Sequence, residues 1–214
     1  MEKAVATQET GIIPGLQKES FHQQVSKIPG LVYQSEFITE AEEENLLAYI
    51  DRAEWSTELQ RRVQHYGWRY DYKQRQIDES MHLGPLPQWA QGLAQKLVSE
   101  DWVKDLPDQV IVNEYCHDQG ISAHIDSERS FTEYVATISL LETWDMVFRQ
   151  RDSGKKVEIP LERRSVAILS GDARYKWTHE IPKRDSESVV DQDGRYKSEK
   201  RGRRISLTFR KTCL

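Results

Sequence analysis

The second half of the chain contains a series of short apolar or alternating segments, and this pattern constrains the fold more than any other feature. The segments are separated by turn signals at 117–120, 152–154 and 171–172. Short segments of this kind, with turns between them, are typical of strands in a β-sandwich or barrel. They predict a jelly roll whose strands lie at 109–115, 121–125, 134–141, 144–149, 156–161, 165–170, 174–181 and 203–211.

Two helices are predicted before these strands. Thr39, with Glu42 three residues later, has the pattern of a capping box, and Leu46 and Ile50 then share one helical face. The second helix, over about 87–99, has a candidate buried stripe formed by Trp89, Leu93 and Leu97. Because the helices precede the strands rather than alternate with them, we expect an α+β fold with the helices packed against one sheet.

The bulk properties fit one globular domain. The chain has 214 residues and is 37% hydrophobic and 30% charged. We expect residues 1–30 to form a flexible, loosely attached arm and residues 31–214 to form the domain. No apolar run is long enough to span a membrane, and the N-terminus lacks the hydrophobic region of a secretory signal. Two cysteines are too few for a disulfide framework, so we expect free thiols and a cytoplasmic location, or a nuclear one in a eukaryote.

Charge is distributed unevenly along the chain. The net charge of −5 argues against a uniformly basic nucleic-acid surface. Basic residues nevertheless alternate with aromatic ones between 61 and 75, as stacking on bases and contact with phosphates require. Taken alone, this segment is explained better as an exposed amphipathic strand pair. Residues 183–200 are polar and predict a long solvated loop.

Three side chains predict a metal site. In a strand, residues two apart point to the same face, so His124 and Asp126 project together and Ile125 points to the opposite layer. His179 lies 55 residues after His124, in another strand-like segment. Each motif alone is more often surface or structural. Together, two histidines and one carboxylate are the ligands of a non-haem Fe(II) centre with open coordination positions.

The last predicted strand carries a polar face and an apolar face. The polar face contains Arg204, Ser206, Thr208 and Arg210. An ordinary strand with one solvated side explains this alternation equally well. The functional interpretation turns the polar face into the mouth of the barrel, where an arginine can bind a carboxylate bidentately. Asn113 and Tyr115 share a face of another strand and would add an amide and a phenol to the same ligand.

The combined motifs resemble the AlkB family. The matching residues are N-x-Y at 113–115, Gly120, H-x-D at 124–126, His179 and R-x5-R at 204–210, and the resemblance covers roughly residues 31–214. It implies an Fe(II)- and 2-oxoglutarate-dependent dioxygenase that uses O2 as second co-substrate. It also implies a double-stranded β-helix, or jelly-roll, core at about 108–214 and a nucleotide-recognition lid at about 59–76.

The resemblance assigns roles to individual residues. His124, Asp126 and His179 are then iron ligands. Arg204 and Tyr115 would hold the distal carboxylate of 2-oxoglutarate, and Asn113 and Arg210 would lie near its metal-chelating end.

Substrate recognition is assigned to the lid and to one acidic residue. Tyr70 and Tyr72 are the candidates to stack on a flipped base, with Trp68 as a weaker one; each ring can also simply fill the seam between lid and barrel. Glu128 matches an acidic position that approaches the exocyclic nitrogen of the base in repair members of the family. It can equally be a surface residue paired with Arg129. The leading prediction is oxidative dealkylation of N-alkylated bases in DNA or RNA, with nucleic acid as the partner and neither a membrane nor an obligate protein partner.

Other functions remain open at this point. Three segments look more like the oxygenase domain of wobble-uridine tRNA hydroxylases than like the bacterial repair prototype of the family: RRVQHYG, GDARYKWTHEI and RGRRISLTFRK. An oxygenase acting on a protein or a small molecule is a further alternative, and a non-enzymatic metal-binding module leaves the paired arginines unexplained. The chain departs from the family pattern at Ser206, where asparagine is usual, and at Leu141 and Glu180, where glycines are common.

Overall fold

The computed structural model describes residues 21–190 and 196–214. The helices in this part of the chain are α1 (Phe21–Ser26), α2 (Glu40–Arg52), α3 (Gln88–Ser99) and α4 (Gly171–Tyr175), with a 3-10 turn at Glu79–Met81. The strands are β1 (Leu31–Gln34), β2 (Arg62–Tyr66), β3 (Gln109–Cys116), β4 (Ile121–His124), β5 (Phe131–Leu140), β6 (Trp144–Gln150), β7 (Lys156–Leu161), β8 (Val166–Ser170), β9 (Trp177–Ile181), β10 (Ser186–Val190), β11 (Tyr196–Lys200) and β12 (Arg203–Thr212).

The strands form two larger antiparallel sheets and a hairpin. The larger sheet has the order β1-β8-β5-β12-β3-β2, and the smaller one has the order β4-β9-β6-β7. One apolar cluster packs between the sheets, and a second lies between the larger sheet and helices α2 and α3. The predicted α+β jelly roll, with helices against one sheet, is confirmed. All eight predicted strands are present, and their ends lie within three residues of the expected ones.

Strand β12 lies in the middle of the larger sheet, between β3 and β5. Its apolar residues Ile205, Leu207 and Phe209 are fully buried in the cluster beneath the helices. Its polar residues point to the other side of the sheet, toward the smaller sheet. The alternation therefore separates a packing face from a cavity face, and the explanation as an ordinary solvated strand is wrong.

Helix α2 begins as predicted. The Thr39 side chain accepts a hydrogen bond from Glu42 N at 3.2 Å, and Thr39 N donates to Glu42 Oε2 at 2.7 Å. This reciprocal pair satisfies two backbone donors at the start of the helix. In α3 the buried stripe differs slightly from the expected one, because Trp89 is only half-buried. The stripe consists of Ala90, Leu93, Ala94 and Leu97.

The expectation of a loop at residues 183–200 is wrong. Residues 183–200 do not form a simple loop, because β10 and β11 pair as an antiparallel hairpin, with residues 191–195 outside the described part. The buried Glu187 carboxylate anchors this hairpin by binding Arg201. The expected lid at 59–76 includes strand β2 at 62–66, which pairs with β3.

Part of the expected N-terminal arm is folded onto the domain. Residues 1–20 lie outside the described residues, but α1 packs its Phe21 ring at 4.6 Å from Tyr33. Ile28 is 1% exposed, and Ser170 N donates to Gly30 O at 2.9 Å. Burial of these side chains explains why residues 21–30 are held in place. Within the part of the chain that the structure describes, no helix is long and apolar enough to cross a membrane.

Candidate active site

The three predicted metal ligands converge at one end of the jelly roll. The candidate ligand atoms of His124, Asp126 and His179 all lie within 4.8 Å of one another. His179 Nε2 is 3.3 Å from Asp126 Oδ2, and the two imidazole ring centroids are 4.4 Å apart. Asp126 and His179 are buried, and His124 is half-buried. The spacing is that of a group able to surround one ion.

Strand pairing and one glycine bring the two histidines together. His124 on β4 is the direct antiparallel partner of His179 on β9, and Ile121 pairs with Ile181. Gly120 directly precedes β4 and lies very close to β9. A Cβ atom added to it would lie 2.3 Å from Ile181 O. Only glycine therefore allows this approach of the two strands.

The aspartate reaches the site differently from what strand alternation predicts. Strand β4 ends at His124, so Asp126 lies in the following turn. Ile125 does not point into an opposite layer but lines the same cavity as its neighbours. Arg174 of α4 fixes this turn by donating from Nη1 to Asp126 O at 2.8 Å.

The two oxygens of Asp126 have different surroundings. Oδ1 accepts a hydrogen bond from Arg210 Nε at 2.7 Å and lies 2.5 Å from Arg210 Nη2. Oδ2 is buried without a hydrogen bond among the described residues. Burial alone raises the pKa of this carboxyl, but Arg210 and then His179 outweigh burial and hold the pKa well below its usual range. Asp126 is therefore ionised, with one oxygen paired and one available to a cation.

His124 is prepared for the same role. Its Nδ1 lies 2.8 Å from Ser122 O, and because a carbonyl only accepts, Nδ1 carries the proton and Nε2 has the free lone pair. Burial, followed by the nearby His179, lowers the pKa of His124 to about 4, so the ring is neutral near pH 7. A neutral imidazole with an oriented hydrogen bond on its other nitrogen is the usual form of a metal-binding histidine. These residues fit an Fe(II) ion in both donor set and protonation.

Beside the candidate ligands lies a cavity lined by the residues that are expected to hold the co-substrate. Arg204 and Tyr115 line it together, with the guanidinium carbon of Arg204 5.6 Å from the Tyr115 ring. Arg204 is 1% exposed and donates from Nη2 to Ser139 Oγ at 2.8 Å. Its Nε has no hydrogen-bond partner in the described ranges, and burial lowers its pKa to about 10. The result is a buried cation that carries its charge near pH 7 and has an unused donor.

Asn113 and Arg210 line the same cavity, as predicted. Asn113 Oδ1 accepts a hydrogen bond from Arg61 Nε at 3.0 Å. The Arg61 guanidinium carbon also lies 6.0 Å from the Tyr72 ring and 5.9 Å from the Tyr115 ring. Arg61 therefore joins the lid to the residues expected to hold the co-substrate. From the sequence, Arg61 is predicted only to be part of the basic segment at 61–75.

Both lid tyrosines reach the cavity. Tyr70 and Tyr72 are half-buried and line it together with the three candidate ligands. The Tyr70 ring lies 5.7 Å from Phe131 at an interplanar angle of 30°, and 5.3 Å from the Tyr72 ring. Tyr72 Oη is hydrogen-bonded to His65 Nε2 at 3.2 Å, and burial raises the pKa of Tyr72 to about 12. The rings are therefore packed on one side and face the cavity on the other.

The two remaining substrate candidates lie elsewhere. Trp68 packs on His82, with ring centroids 4.4 Å apart, and lines a different depression near α3. It does not belong to the site. Glu128 is exposed and does not line the inner cavity, but it borders a groove that opens from it.

Comparison with known proteins places this arrangement in a family. Residues 30–210 match the profile of the 2OG-Fe(II) oxygenase superfamily. The chain is 33% identical over 202 residues to the mouse tRNA (carboxymethyluridine(34)-5-O)-methyltransferase ALKBH8, covering 86% of this chain and 30% of that protein. It is 35% identical over 206 residues to the Arabidopsis thaliana alkylated DNA repair protein ALKBH8 homolog, covering 86% of this chain and 58% of that protein. The chain belongs to the AlkB family of 2-oxoglutarate-dependent Fe(II) dioxygenases.

A structural relative agrees with this assignment. The solved structure of OsALKBH1 superposes with a TM-score of 0.63 at 18% identity, covering 86% of this chain and 97% of that one. At this identity the similarity supports the fold alone. As a member of the family, this AlkB-type enzyme uses Fe(II), 2-oxoglutarate and O2. The chain spans less than two thirds of the two ALKBH8 relatives.

Proposed function

We propose that this protein oxidises an alkyl substituent on a base of a nucleic acid and thereby removes N-alkyl groups. The observation that carries the proposal is that Tyr70 and Tyr72 line the same cavity as the three candidate ligands. An alkylated atom within a base pair is inaccessible, so the base must leave its stack, and flat aromatic side chains replace the lost stacking. The cytoplasmic location stays a prediction.

His124, Asp126 and His179 would hold the iron. When bound, Fe(II) couples the decarboxylation of 2-oxoglutarate to succinate with hydroxylation of a substrate C–H bond. The chain's contribution is to orient the participants. Arg210 keeps Asp126 ionised and binds one of its oxygens, and the other oxygen would be available to the ion.

The co-substrate would be held by the cavity face of two strands. Arg204 offers an unpaired guanidinium donor and lies beside Tyr115, which suits the distal carboxylate. Asn113 and Arg210 lie on the same cavity wall and would contact the metal-chelating end. Glu128, at the cavity mouth, would accept a hydrogen bond from an exocyclic amine of the base.

A second candidate is hydroxylation of a modified wobble uridine in tRNA. It is favoured by the identity to ALKBH8 relatives, one of which is named as a tRNA methyltransferase. The two reactions share the oxidation and differ in the product. A hydroxyl on a carbon attached to nitrogen forms a hemiaminal that loses an aldehyde, whereas a hydroxyl on a carbon attached only to carbon is retained.

Mass spectrometry separates the two candidates. The protein, with ferrous iron, ascorbate and 2-oxoglutarate, would be incubated with single-stranded oligonucleotides bearing 1-methyladenine or 3-methylcytosine, and separately with tRNA containing carboxymethylated wobble uridine. We expect loss of one methyl group from the oligonucleotides, abolished in Asp126→Ala and strongly reduced in Tyr70→Ala and Tyr72→Ala. Gain of one oxygen on tRNA without demethylation would instead support the second candidate. Succinate formation with neither product would overturn the nucleic-acid function.

A further inference from the structure

A groove lined by three arginines opens from the active-site cavity. This outer groove shares Tyr70, Ile125, Asp126 and Ser127 with the cavity. Its remaining walls include Arg75, Arg129 and Arg151, together with Glu128 and Thr178. A ligand in the cavity therefore has a continuous path into the groove.

The three arginines come from separate parts of the chain. Arg75 lies in the lid, Arg129 lies in the turn after Asp126, and Arg151 directly follows β6. Their convergence is consequently a property of the fold and not of one basic segment.

These three side chains also differ from most other arginines of the protein. All three are exposed, and none forms an ion pair within residues 21–190 and 196–214. By contrast, Arg62 and Arg203 bind Glu114, and Arg163 binds Glu43.

The groove is locally cationic in an acidic protein. The chain has a net charge of −5, yet the groove contains three guanidinium groups and one carboxylate, that of Glu128, that form no ion pair with any described residue. The other carboxylate in its wall, Asp126, is bound by Arg210. This charge distribution favours a ligand that carries an anionic group next to a polar part with an amine.

We infer that the outer groove binds backbone phosphates on both sides of the base held in the cavity. The inference rests on the proposed function, because a base placed between the tyrosines leaves its flanking phosphates at the cavity mouth. Guanidinium groups bind phosphate oxygens bidentately, and three of them suit the strand on either side of the base. Glu128 is then free to contact the base rather than the backbone.

Salt-dependent binding tests this inference. The Mn(II)-loaded protein with 2-oxoglutarate would be titrated, without oxygen, into fluorescein-labelled single-stranded DNA and RNA over roughly 50 to 200 mM NaCl. The triple variant Arg75→Gln, Arg129→Gln, Arg151→Gln would be compared with Arg52→Gln, Lys104→Gln, Lys200→Gln. The control makes the same charge change at exposed residues that line neither the cavity nor the groove.

We expect the groove variant to bind more than about tenfold more weakly near 100 mM NaCl. The slope of log K against log[salt] should become less steep by about 2, because each of the three single-strand phosphate contacts contributes about 0.7. The control should keep the wild-type slope. An unchanged 2-oxoglutarate affinity in both variants would show that the inner cavity is intact.

The outcomes distinguish failure of phosphate binding in the groove from failure of the proposed function. If the wild type binds oligonucleotides but the groove variant and the control have the same salt slope, the groove does not bind phosphate. The proposed nucleic-acid function would then still stand. A wild type that turns over 2-oxoglutarate but binds neither DNA nor RNA would overturn both.

Discussion

Arg204 is a buried cation held in place by one hydroxyl group and one aromatic ring. No carboxylate of the described chain neutralises it, although its Nη2 binds Ser139 Oγ. Burying a charge without a counterion is costly, so the site is arranged for an anion that arrives from outside. This makes Arg204 the residue where a conservative substitution is most informative.

Arg204→Lys is expected to weaken 2-oxoglutarate binding by at least about tenfold, or about 1.4 kcal/mol, because a point charge cannot reproduce the bidentate fork. Isothermal titration of the Mn(II)-loaded protein measures this. Arg62→Lys, which changes an arginine that binds Glu114 instead of lining the cavity, is the control and should retain wild-type affinity. Equal affinities of the two variants would remove Arg204 from the residues expected to hold the co-substrate.

His65 gives the apo-protein a pH-dependent stability. Burial and, less strongly, Arg69 lower the pKa of His65 to about 4. The unfolded chain therefore takes up a proton near pH 6.5 that the folded chain does not accept until about pH 4, so the stability contributed by this residue is lost as the pH falls through that window.

Between pH 7 and pH 5 the loss from His65 is on the order of 2 kcal/mol. Urea unfolding of the apo-protein at both pH values should give a larger decrease for the wild type than for His65→Gln. The other histidines contribute equally to both proteins and cancel in the difference. An identical decrease in the two proteins would contradict the assignment.

Among single residues, the sequence predicts those whose position follows from strand alternation or from motif spacing. Arg204 and Arg210 were predictable because strand alternation places them on one face of β12, and His124 and His179 because of their spacing within the combined motif. Arg61 was not, because its role depends on the rings of Tyr72 and Tyr115, which only the folded chain brings near it.

At the scale of elements, helix α2 is joined to the larger sheet by one buried carboxylate. Glu43 is 0% exposed, and its oxygens accept hydrogen bonds from Leu141 N and Arg163 Nε, both at 2.7 Å. Leu141, at a position where the family often has glycine, has a φ of 72°. The carboxylate therefore helps to hold a left-handed backbone conformation that is unfavourable for leucine.

Glu43→Ala is expected to lower the free energy of unfolding by about 2 kcal/mol, because it leaves a buried backbone donor unpaired. Its exposed neighbour offers a matched control, and Glu44→Ala should change stability by less than about 0.5 kcal/mol. Chemical denaturation measures both. Similar values for the two variants would show that Glu43 does not join the elements.

Element types were predictable where periodicity and caps agree. The capping box at Thr39 and the alternation of β12 each identify an element from local sequence alone. The β10–β11 hairpin was not predictable, because its strands are mostly exposed and lack an apolar period. It is fixed by Glu187 and Arg201, a contact between side chains 14 residues apart.

For the whole molecule, the candidate metal site links separate parts of the fold. Its three candidate ligands come from β4, the following turn and β9, so an ion bound there would stabilise only the folded state. A ligand present at 100 times its dissociation constant adds about 2.7 kcal/mol to stability.

Adding Mn(II) to the metal-free protein is therefore expected to raise the thermal unfolding midpoint, and a chelator should reverse the increase. Asp126→Ala should abolish the shift. Glu128→Ala removes a nearby carboxylate that is not a predicted ligand and should preserve it. An undiminished shift in Asp126→Ala would place the ion elsewhere.

The fold and the reaction type follow from the sequence more directly than the substrate does. Iron chemistry depends on a few residues with fixed spacing. Under the proposed function, substrate choice depends on how Tyr70, Tyr72 and the outer groove are placed around the cavity mouth, and these surfaces are assembled from distant segments.

The central position of β12 also has a consequence for biosynthesis. Strands β3 and β5 leave the ribosome well before β12, the strand that fills the gap between them. Until residues 203–212 are translated, both earlier strands have an unpaired edge that can aggregate. The same residues include Arg204 and Arg210, so the strand that closes the larger sheet also completes the cavity wall that carries both arginines.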